Sequence, residues 1–300
     1  MAASDASAND TSAAMEAGGL MPVQNTTVQI KSEVLTISPW RIEVEYVFVN
    51  RTESDVTTTV MFPMPDYPLR EMHFSPWSVP YSGRPNFLQF TTQVDDIDVK
   101  MTPEIRAVLP KSGRDVTDDL RKLGVPFYVD LSPYRETMNE NIYRKLIELG
   151  AIETIDEEED VPLWTVKTSF YWRQTFPAGK ELRIRHRYIP GVFKSFVSEK
   201  EDEWCTDEAY KAKVRSILKE KAEKSSYING RAVKYILRTG ANWAGPIEKF
   251  KLKINKGSGV SLVSTCAILG LFIKKEGETF VAEAQNYTPR EDLNILFVMK

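Results

Sequence analysis

The sequence predicts a mainly β protein, α+β by helix count, built from two antiparallel sandwich-like units. Apolar and polar residues alternate with a period of two in many segments, as they do in half-buried strands. Helical patterns are few and irregularly placed, which disfavours a parallel sheet with crossover helices. The chain has 300 residues, of which 42% are apolar and 27% charged, so it has room and composition for two folded domains or one large one.

The first predicted unit spans residues 22–190. Its clearest strand covers 41–49, where Ile42, Val44, Tyr46 and Phe48 point to one face. A return strand over 56–62 ends at two prolines, and further strands are predicted over 23–37, 86–101, 164–173 and 182–188. A helical insertion interrupts them at 115–150, with a first helix capped by Thr117, a second beginning at Ser132-Pro133, and glycines ending both.

The second predicted unit spans residues 191–300 and contains one helix over 207–224. Thr206 is the expected cap of this helix, and lysines near its end suit the helix dipole. Strands are expected around 233–237, 250–254, 262–266, 271–274, 280–284 and 293–299. The last is apolar on both faces, which is typical of a central strand.

Residues 1–21 are predicted to be a disordered tail or the remnant of a signal region. Ala6-Ser7-Ala8 fits the small-x-small pattern that signal peptidase reads, although no apolar stretch precedes it. An ordinary Ser/Ala-rich tail explains the composition equally well. The chain contains two cysteines, Cys205 and Cys266, which in an exported protein would suggest one disulfide; two unrelated buried thiols are the alternative.

Several classes of function are disfavoured by composition and motifs. The net charge of −3 gives no overall basic field for nucleic acid, and no apolar run is long enough for a membrane-spanning helix. The sequence lacks the motifs of zinc peptidases, serine hydrolases, P-loop proteins and dinucleotide-binding folds. The two cysteines and two scattered histidines have no metal-ligand spacing, and the acidic run 156–160 reads as a solvated loop rather than a calcium site. We therefore expect no cofactor, no metal and no catalytic set.

Several stretches together resemble an uncharacterised bacterial exported family, catalogued as domain of unknown function 4424. They are Asn9-Asp-Thr-Ser-Ala-Ala-Met-Glu-Ala-Gly-Gly-Leu, Phe62-Pro-Met-Pro, Phe176-Pro-Ala-Gly with His186-Arg-Tyr, Tyr235-Ile-Leu-Arg-Thr-Gly-Ala-Asn-Trp-Ala-Gly-Pro-Ile and Asp292-Leu-Asn-Ile-Leu-Phe. The resemblance implies a cleaved signal peptide, a periplasmic or secreted location and a recurrent cysteine pair, which favours the Cys205–Cys266 disulfide. It implies no activity. More distantly, residues 22–190 are similar in element order to the vault protein inter-alpha-trypsin domain, a fold-level analogy with little functional weight.

The candidate site residues each have a structural and a functional interpretation. His186 lies on the apolar face of its strand and is either a buried, hydrogen-bonded core residue or a catalytic base; His73 reads as packed or exposed in its loop. The candidate interaction surface comprises Trp243, Asn242, Phe74, Trp77 and Tyr81, and Trp243 reads alternatively as a plug between sheets. Residues 211–256 hold thirteen basic and three acidic residues, which indicates either a solvated face or a site for an anionic partner.

These observations favour a non-enzymatic module that binds a protein or a small ligand. The first alternative is a hydrolase whose site assembles around His186 only in the fold, which requires a pocket beside that histidine. The second is a carrier of a lipid or another apolar small molecule between the sheets, which requires a cavity there.

Overall fold

The computed structural model describes residues 9–16, 19–74, 77–81, 83–127, 138–155, 159–197, 207–221, 228–266, 268 and 270–300. The strands are β1 Thr11–Glu16, β2 Gly19–Val23, β3 Val28–Ile37, β4 Ile42–Asn50, β5 Val56–Pro63, β6 Tyr67–Pro68, β7 Trp77–Ser78, β8 Thr91–Val94, β9 Ile97–Val99, β10 Thr102–Val108, β11 Ile152–Ile155, β12 Glu159–Pro162, β13 Thr165–Phe176, β14 Glu181–Tyr188, β15 Val192–Val197, β16 Ile228–Tyr235, β17 Ile247–Asn255, β18 Val260–Thr265, β19 Lys274–Glu276, β20 Thr279–Tyr287 and β21 Leu293–Met299. The helices are α1 Leu69–Phe74, α2 Thr117–Lys122, α3 Glu140–Glu148 and α4 Glu208–Lys221, and a 3₁₀ turn covers Arg238–Asn242.

The strands form three large sheets and one hairpin. Sheet A has the order β10-β13-β5-β1-β2, with β6 also paired to β13; sheet B has the order β19-β20-β17-β3-β4-β14-β8-β9; and sheet C has the order β18-β21-β16-β15-β7. Strands β11 and β12 form a separate hairpin. Within the part of the chain that the structure describes, neighbouring strands are antiparallel except β17 and β3, which run parallel. The predicted mainly β, antiparallel and sandwich-like architecture is confirmed.

The period-two patterns place the core as predicted. Ile42, Val44, Tyr46 and Phe48 on β4 are all 0% exposed, and the alternate residues of β14 from Leu182 to Tyr188 are buried opposite them. Aromatic rings from sheet A pack on this face of sheet B. Tight packing of this kind explains why the alternation in sequence predicts these strands well.

A β-bulge in β3 changes which residues face the core. Pairing with β4 shifts register between Ile30 and Ser32, so Val28 and Ile30 are buried before the bulge and Glu33 and Leu35 after it. Bulges re-aim side chains in this way. Here the bulge turns the carboxylate of Glu33 into the interior.

The predicted disordered tail over 1–21 is wrong for residues 9–16 and 19–21. Strand β1 pairs with β5 in the middle of sheet A, where Thr11 faces Met61, and β2 extends the sheet beyond it. The segment has few large apolar groups, so its sequence gives no burial signal. It is held by hydrogen bonds of small polar side chains. Residues 1–8 lie outside the described residues.

The predicted division at residue 190 does not separate two sandwiches. Sheet B combines strands from both sides, since β17 pairs with β3 and aligns Leu252 with Leu35. Both leucines belong to one continuous core cluster. The pairing joins segments more than 200 residues apart, which a local pattern does not reveal.

The predicted helices are found where the chain is described. Thr117 does not cap α2 as expected; its hydroxyl accepts a hydrogen bond from the backbone of Ala107 at 2.8 Å. Helix α3 begins after Asn139, whose side chain accepts from Ile142 N at 3.0 Å, while the predicted start at 132–133 lies outside the described residues. Helix α4 falls within 207–224, and its predicted cap, Thr206, is likewise not described.

Candidate functional site

A chain of three polar side chains, Asp10, His186 and Thr92, lies at the centre of the protein. Nε2 of His186 is 3.0 Å from each carboxylate oxygen of Asp10, and Nδ1 is 2.8 Å from the hydroxyl of Thr92. Asp10 and His186 are 0% exposed and Thr92 is 2% exposed. The three residues come from the entry to β1, from β14 and from β8, so the folded sheets bring together groups that are far apart in sequence.

Asn9 continues this hydrogen-bonded network toward β3 and β16. Its side-chain amide donates to both carboxylate oxygens of Glu33, at 3.3 and 3.2 Å. Its carbonyl oxygen accepts from the hydroxyls of Tyr46, in a short contact, and of Tyr235, at 3.4 Å. One residue of the amino-terminal segment therefore satisfies polar groups on three strands.

The backbone of the same segment is fixed by the loop that follows β16. Thr239 accepts from Asn9 N and donates to Asn9 O, both at 2.7 Å, and the indole of Trp243 donates to Asp10 O at 2.6 Å. Asn242 donates to the hydroxyl of Thr11 at 3.1 Å. We call the set Asn9, Asp10, Glu33, Tyr46, Thr92, His186, Tyr235, Thr239 and Trp243 the polar centre.

Burial shifts the titration of the acids in the polar centre. Desolvation raises the pKa of Asp10, while the neighbouring His186 opposes that rise. Desolvation raises the pKa of Glu33 to about 8; the hydrogen bond from Asn9 opposes the rise and the charge of Asp10 adds to it. Glu33 is therefore mostly protonated at neutral pH. Burial also raises the pKa of Tyr46 and of Tyr235 well above the usual tyrosine value.

Aromatic rings pack around His186, whose two ring nitrogens face Thr92 and Asp10. The ring centroids of Phe62 and Phe90 lie 5.1 Å from that of His186, and those of Trp172 and Tyr46 lie at 5.4 and 5.9 Å. A general base must come within hydrogen-bond reach of the proton that it removes. The complete burial of His186 therefore argues against the hydrolase hypothesis, although an acid and a hydroxyl do flank the ring.

Trp243 is not a surface residue, contrary to its place in the predicted interaction surface. It is 1% exposed and packs against Phe48 and Phe176 at centroid distances of 4.8 and 5.7 Å. Its alternative interpretation as a plug between sheets agrees with this position. Asn242, from the same predicted surface, is half-buried and holds Thr11.

Replacing Trp243 with phenylalanine is expected to lower the free energy of unfolding by about 1.5–3 kcal/mol. The change leaves Asp10 O without its buried donor and removes packing volume. Urea denaturation followed by circular dichroism measures the loss. The matched control is Trp40→Phe, because Trp40 is 48% exposed. Equal effects of the two substitutions would contradict the role given to Trp243.

The other members of the predicted interaction surface lie around α1 and β7. Phe74 is 56% exposed and Tyr81 is 42% exposed. Trp77 is half-buried, with ring contacts to Tyr67 at 5.8 Å and Phe193 at 5.7 Å. Phe74 and Tyr81 are thus accessible to a partner, whereas Trp77 mainly supports the sheet.

An apolar cleft of about 370 Å³ opens beside α1. Its apolar lining comes from Leu109, Leu149, Leu163 and Trp164, and its polar rim includes Arg70, Glu71 and Lys111. The guanidinium of Arg70 lies over the ring of Phe74, 5.5 Å from its centroid, so the exposed phenylalanine contacts a residue that lines this cleft. A second cleft of about 360 Å³ lies between β18 and β20 and is lined by Tyr210, Ile254, Leu262, Ile273 and Phe280 among others.

Four basic residues of 211–256 have acidic partners that lie outside this range. Lys211, Arg238, Lys251 and Lys256 form ion pairs with Glu208, Asp292, Glu283 and Glu278, respectively. The guanidinium of Arg231 stacks over Trp40 at 4.1 Å. The local excess of positive charge is therefore smaller than the sequence count indicates, which weakens the case for an anionic partner.

Within the described part of the chain, no three histidine, cysteine or acidic residues are grouped to hold a metal ion. The same residues contain no helix long and apolar enough to cross a membrane. The acidic run 156–160 is described only at its last two positions, and Cys205 is outside the described residues. Cys266 follows β18 directly.

Fold and site together define a class of mainly β proteins in which an amino-terminal strand completes a sealed polar centre. Residues 8–296 match the family described as Domain of unknown function (DUF4424), and the chain belongs to that family. No curated protein matches the chain.

The solved structures that are similar to the chain include proteins of two kinds. One is a protein of Legionella pneumophila to which a nutrient-binding role has been assigned provisionally; identity is 14% over 98% of this chain and 72% of that one, with a TM-score of 0.46. Another is an M1 zinc metallopeptidase of Deinococcus radiodurans, with 10% identity, 92% of this chain covered and a TM-score of 0.26. The chain spans 44% of that metallopeptidase. Neither likeness is close enough to carry an argument about function.

Sequence reasoning found His186 but missed its partner Asp10 and the second buried acid of the polar centre, Glu33. Asp10 lies in a segment with a disordered composition, although Asn9-Asp10 opens the first stretch of the family resemblance. Glu33 could have been noticed because the core residues Ile30 and Leu35 are an odd number of positions apart. An odd separation of inward-facing residues in one strand indicates a bulge.

Proposed function

We propose that this protein is a non-enzymatic binding module that holds an apolar small molecule in the cleft beside Trp164. The observation that carries the proposal is the cleft itself, which has about 370 Å³ and leucine and tryptophan walls. Ligand pockets are typically 300–1,000 Å³, mostly apolar and equipped with a few polar groups. The acid–base chain of the protein, by contrast, is closed to substrate.

The cleft is a different ligand site from the one that the carrier hypothesis predicted between the sheets. Between sheets A and B the described interior is filled by rings around His186, such as Phe90 stacked on Phe170 at 4.7 Å. An apolar ligand is therefore placed at the surface beside α1. Arg70 and Lys111 at the rim would orient a polar end of such a ligand.

The binding proposal predicts that a charge in the cleft wall weakens binding of an apolar probe by tenfold or more. The variant is Leu163→Glu, because Leu163 is half-buried and lines the cleft and a carboxylate there repels the sulfonate of the probe. Binding of 1-anilinonaphthalene-8-sulfonate is followed by its fluorescence and by quenching of the tryptophans.

The matched control is Ile147→Glu on α3, a residue that is 45% exposed and outside the cleft lining. Native mass spectrometry of the purified protein adds a second readout, a co-purified apolar compound that the Leu163 variant loses. Absence of probe binding, or equal binding by both variants, would contradict the proposal.

The proposal places the protein in the bacterial periplasm or outside the cell. Ala6-Ser7-Ala8 and the exported family that the chain resembles support this location. A Cys205–Cys266 disulfide belongs to the same proposal, since oxidising compartments favour such bonds. Peptide mapping without reductant is expected to recover both cysteines in one cross-linked peptide; recovery of two free thiols from protein exported to the periplasm would contradict it.

Exposed Phe74 and Tyr81 support a second candidate function, docking of a protein partner. Phe74 contacts Arg70, which lines the cleft, so a partner bound at Phe74 could insert an apolar side chain into the cleft. The similarity of residues 22–190 to the vault protein inter-alpha-trypsin domain would agree with an interaction role. A pull-down from periplasmic extract with the parent protein and with Phe74→Ala tests this candidate; equal recovery by both forms would contradict it.

A further inference from the structure

Backbone hydrogen bonds hold in place the two elements that carry the charged rim of the cleft beside Trp164. Helix α1 is anchored at its first residue, where Leu69 N donates to Trp164 O at 3.2 Å. The turn that follows β10 is closed by two bonds, from Gly113 N to Leu109 O at 2.8 Å and from Leu109 N to Arg114 O at 2.9 Å. The backbone of both rim elements is therefore fixed, and only the charged side chains are free to adapt to a ligand.

Three charged side chains line the cleft, and one of them is already paired. Arg70 forms an ion pair with Glu153 at 3.2 Å and also lies over the ring of Phe74. Lys111 and Glu71 are both exposed, and neither forms an ion pair with another residue that the structure describes. The rim thus presents one cation and one anion beside apolar walls.

Opposite charges at the rim favour a ligand that carries both. A purely anionic ligand is attracted by Lys111 and repelled by Glu71, and a purely cationic ligand experiences the reverse. A zwitterion is attracted at both ends. The lining also includes the hydroxyl side chains of Ser112 and Thr165, which can exchange hydrogen bonds with an amide group.

The volume of the cleft sets the size of the ligand. A volume of about 370 Å³ equals the space of about twelve water molecules, at about 30 Å³ each in the liquid. This is enough for the apolar side chains of a very short peptide but not for the two long acyl chains of a membrane lipid. An extended peptide of about two or three residues spans about 7–11 Å, so its charged ends can reach different side chains of the rim.

We propose that the cleft beside Trp164 binds a short apolar peptide of about two or three residues, with its carboxylate at Lys111 and its α-ammonium at Glu71. The apolar side chains of the peptide pack against Leu149 and Leu163. The inference rests on the proposed function, because it names the ligand class of the same cleft.

The first test compares four forms of dileucine: with free ends, acetylated, amidated and blocked at both ends. Competition with the neutral fluorescent probe 1-N-phenylnaphthylamine is measured at about pH 6.5, where an α-amine is protonated. The free form is expected to compete about tenfold better than the doubly blocked form, and each single block removes part of this gain.

The outcomes separate the peptide from the binding function itself. Equal competition by all four forms would overturn the peptide assignment, whereas the bound neutral probe would still show that the cleft accepts an apolar molecule. Failure of the probe and of all four peptides to bind would overturn both proposals.

The second test assigns each end of the peptide to one rim residue. Lys111→Ala is expected to weaken binding of free dileucine about fivefold and to leave binding of the amidated form unchanged. Glu71→Gln is expected to weaken binding of the free form similarly and to leave binding of the acetylated form unchanged. Lys180→Ala and Glu53→Gln are matched controls, because both residues are exposed and lie outside the cleft lining. Equal effects of a rim variant on the free and the blocked peptides would overturn its assignment.

The third test compares the peptide with ligands that share only part of its chemistry. Octanoate carries a negative charge alone, and octylphosphocholine carries both charges in a lipid headgroup; their alkyl chains match two leucine side chains in size. Both are expected to compete at least fivefold less well than dileucine. Stronger competition by octanoate would overturn the proposal in favour of an anionic amphiphile, and stronger competition by octylphosphocholine would overturn it in favour of a lipid.

Discussion

Replacing Asp10 with alanine is expected to lower the free energy of unfolding by about 3–5 kcal/mol, because it removes one partner of a fully buried acid–histidine pair. The substitution leaves Nε2 of His186, which is 0% exposed, without its 3.0 Å partner. The desolvated ring then loses the hydrogen bonds that compensated its burial. Urea denaturation followed by intrinsic fluorescence measures the change.

The matched control is Asp96→Ala. Asp96 also pairs with a basic residue of β14, Arg185 at 3.2 Å, but its side chain is 68% exposed. Exposed ion pairs contribute about 0–1 kcal/mol. A loss at Asp10 no larger than the loss at Asp96 would show that the buried pair does not stabilise the fold.

A double substitution isolates the interaction between Asp10 and His186 from the contacts that each residue makes with the rest of the core. Asp10→Ala combined with His186→Leu is expected to cost less than the sum of the two single changes, because the double variant leaves no unpaired polar ring in the core. The shortfall is the coupling energy of the pair. Strict additivity would contradict the direct interaction between Asp10 and His186.

The alternation of residues predicted the strands that carry His186 but not the sheet that surrounds them. Ile42 to Phe48 and Leu182 to Tyr188 were assigned correctly because each strand has one face in the core and one in water. Pairing of β17 with β3 was not predictable in this way. Register between distant strands depends on contacts that neither strand encodes alone.

The polar centre was predicted only in part for a related reason. A buried histidine on an apolar strand face is visible from its neighbours Ile184 and Tyr188. Its acid comes from a Ser/Ala-rich segment whose stability depends on hydrogen bonds to Thr239 and Trp243. Secondary-structure propensity and hydrophobicity do not include such hydrogen bonds. The sequence of the segment alone therefore predicts disorder.

Glu33 makes the stability of the protein depend on pH in an unusual direction. Its pKa is about 8 in the folded protein, against an ordinary value of 4.5. Between these values the folded state retains a proton that the unfolded state has released, so rising pH favours unfolding. The contribution of Glu33 is fully present below the unfolded pKa and is lost as pH rises through the folded pKa. One proton changes the free energy of unfolding by about 1.4 kcal/mol per pH unit, which gives about 4 kcal/mol between about pH 5 and 8.

Glu33→Gln removes this titration and keeps an oxygen that can accept from Asn9. The difference in stability between Glu33→Gln and the parent chain is expected to grow by about 4 kcal/mol as pH rises over that interval. Contributions of other titrating groups cancel in the comparison. Urea midpoints at several pH values measure it, with Glu45→Gln as the exposed control. A constant difference between Glu33→Gln and the parent would show that Glu33 is ionised throughout, and hence that a cation compensates it in the folded protein.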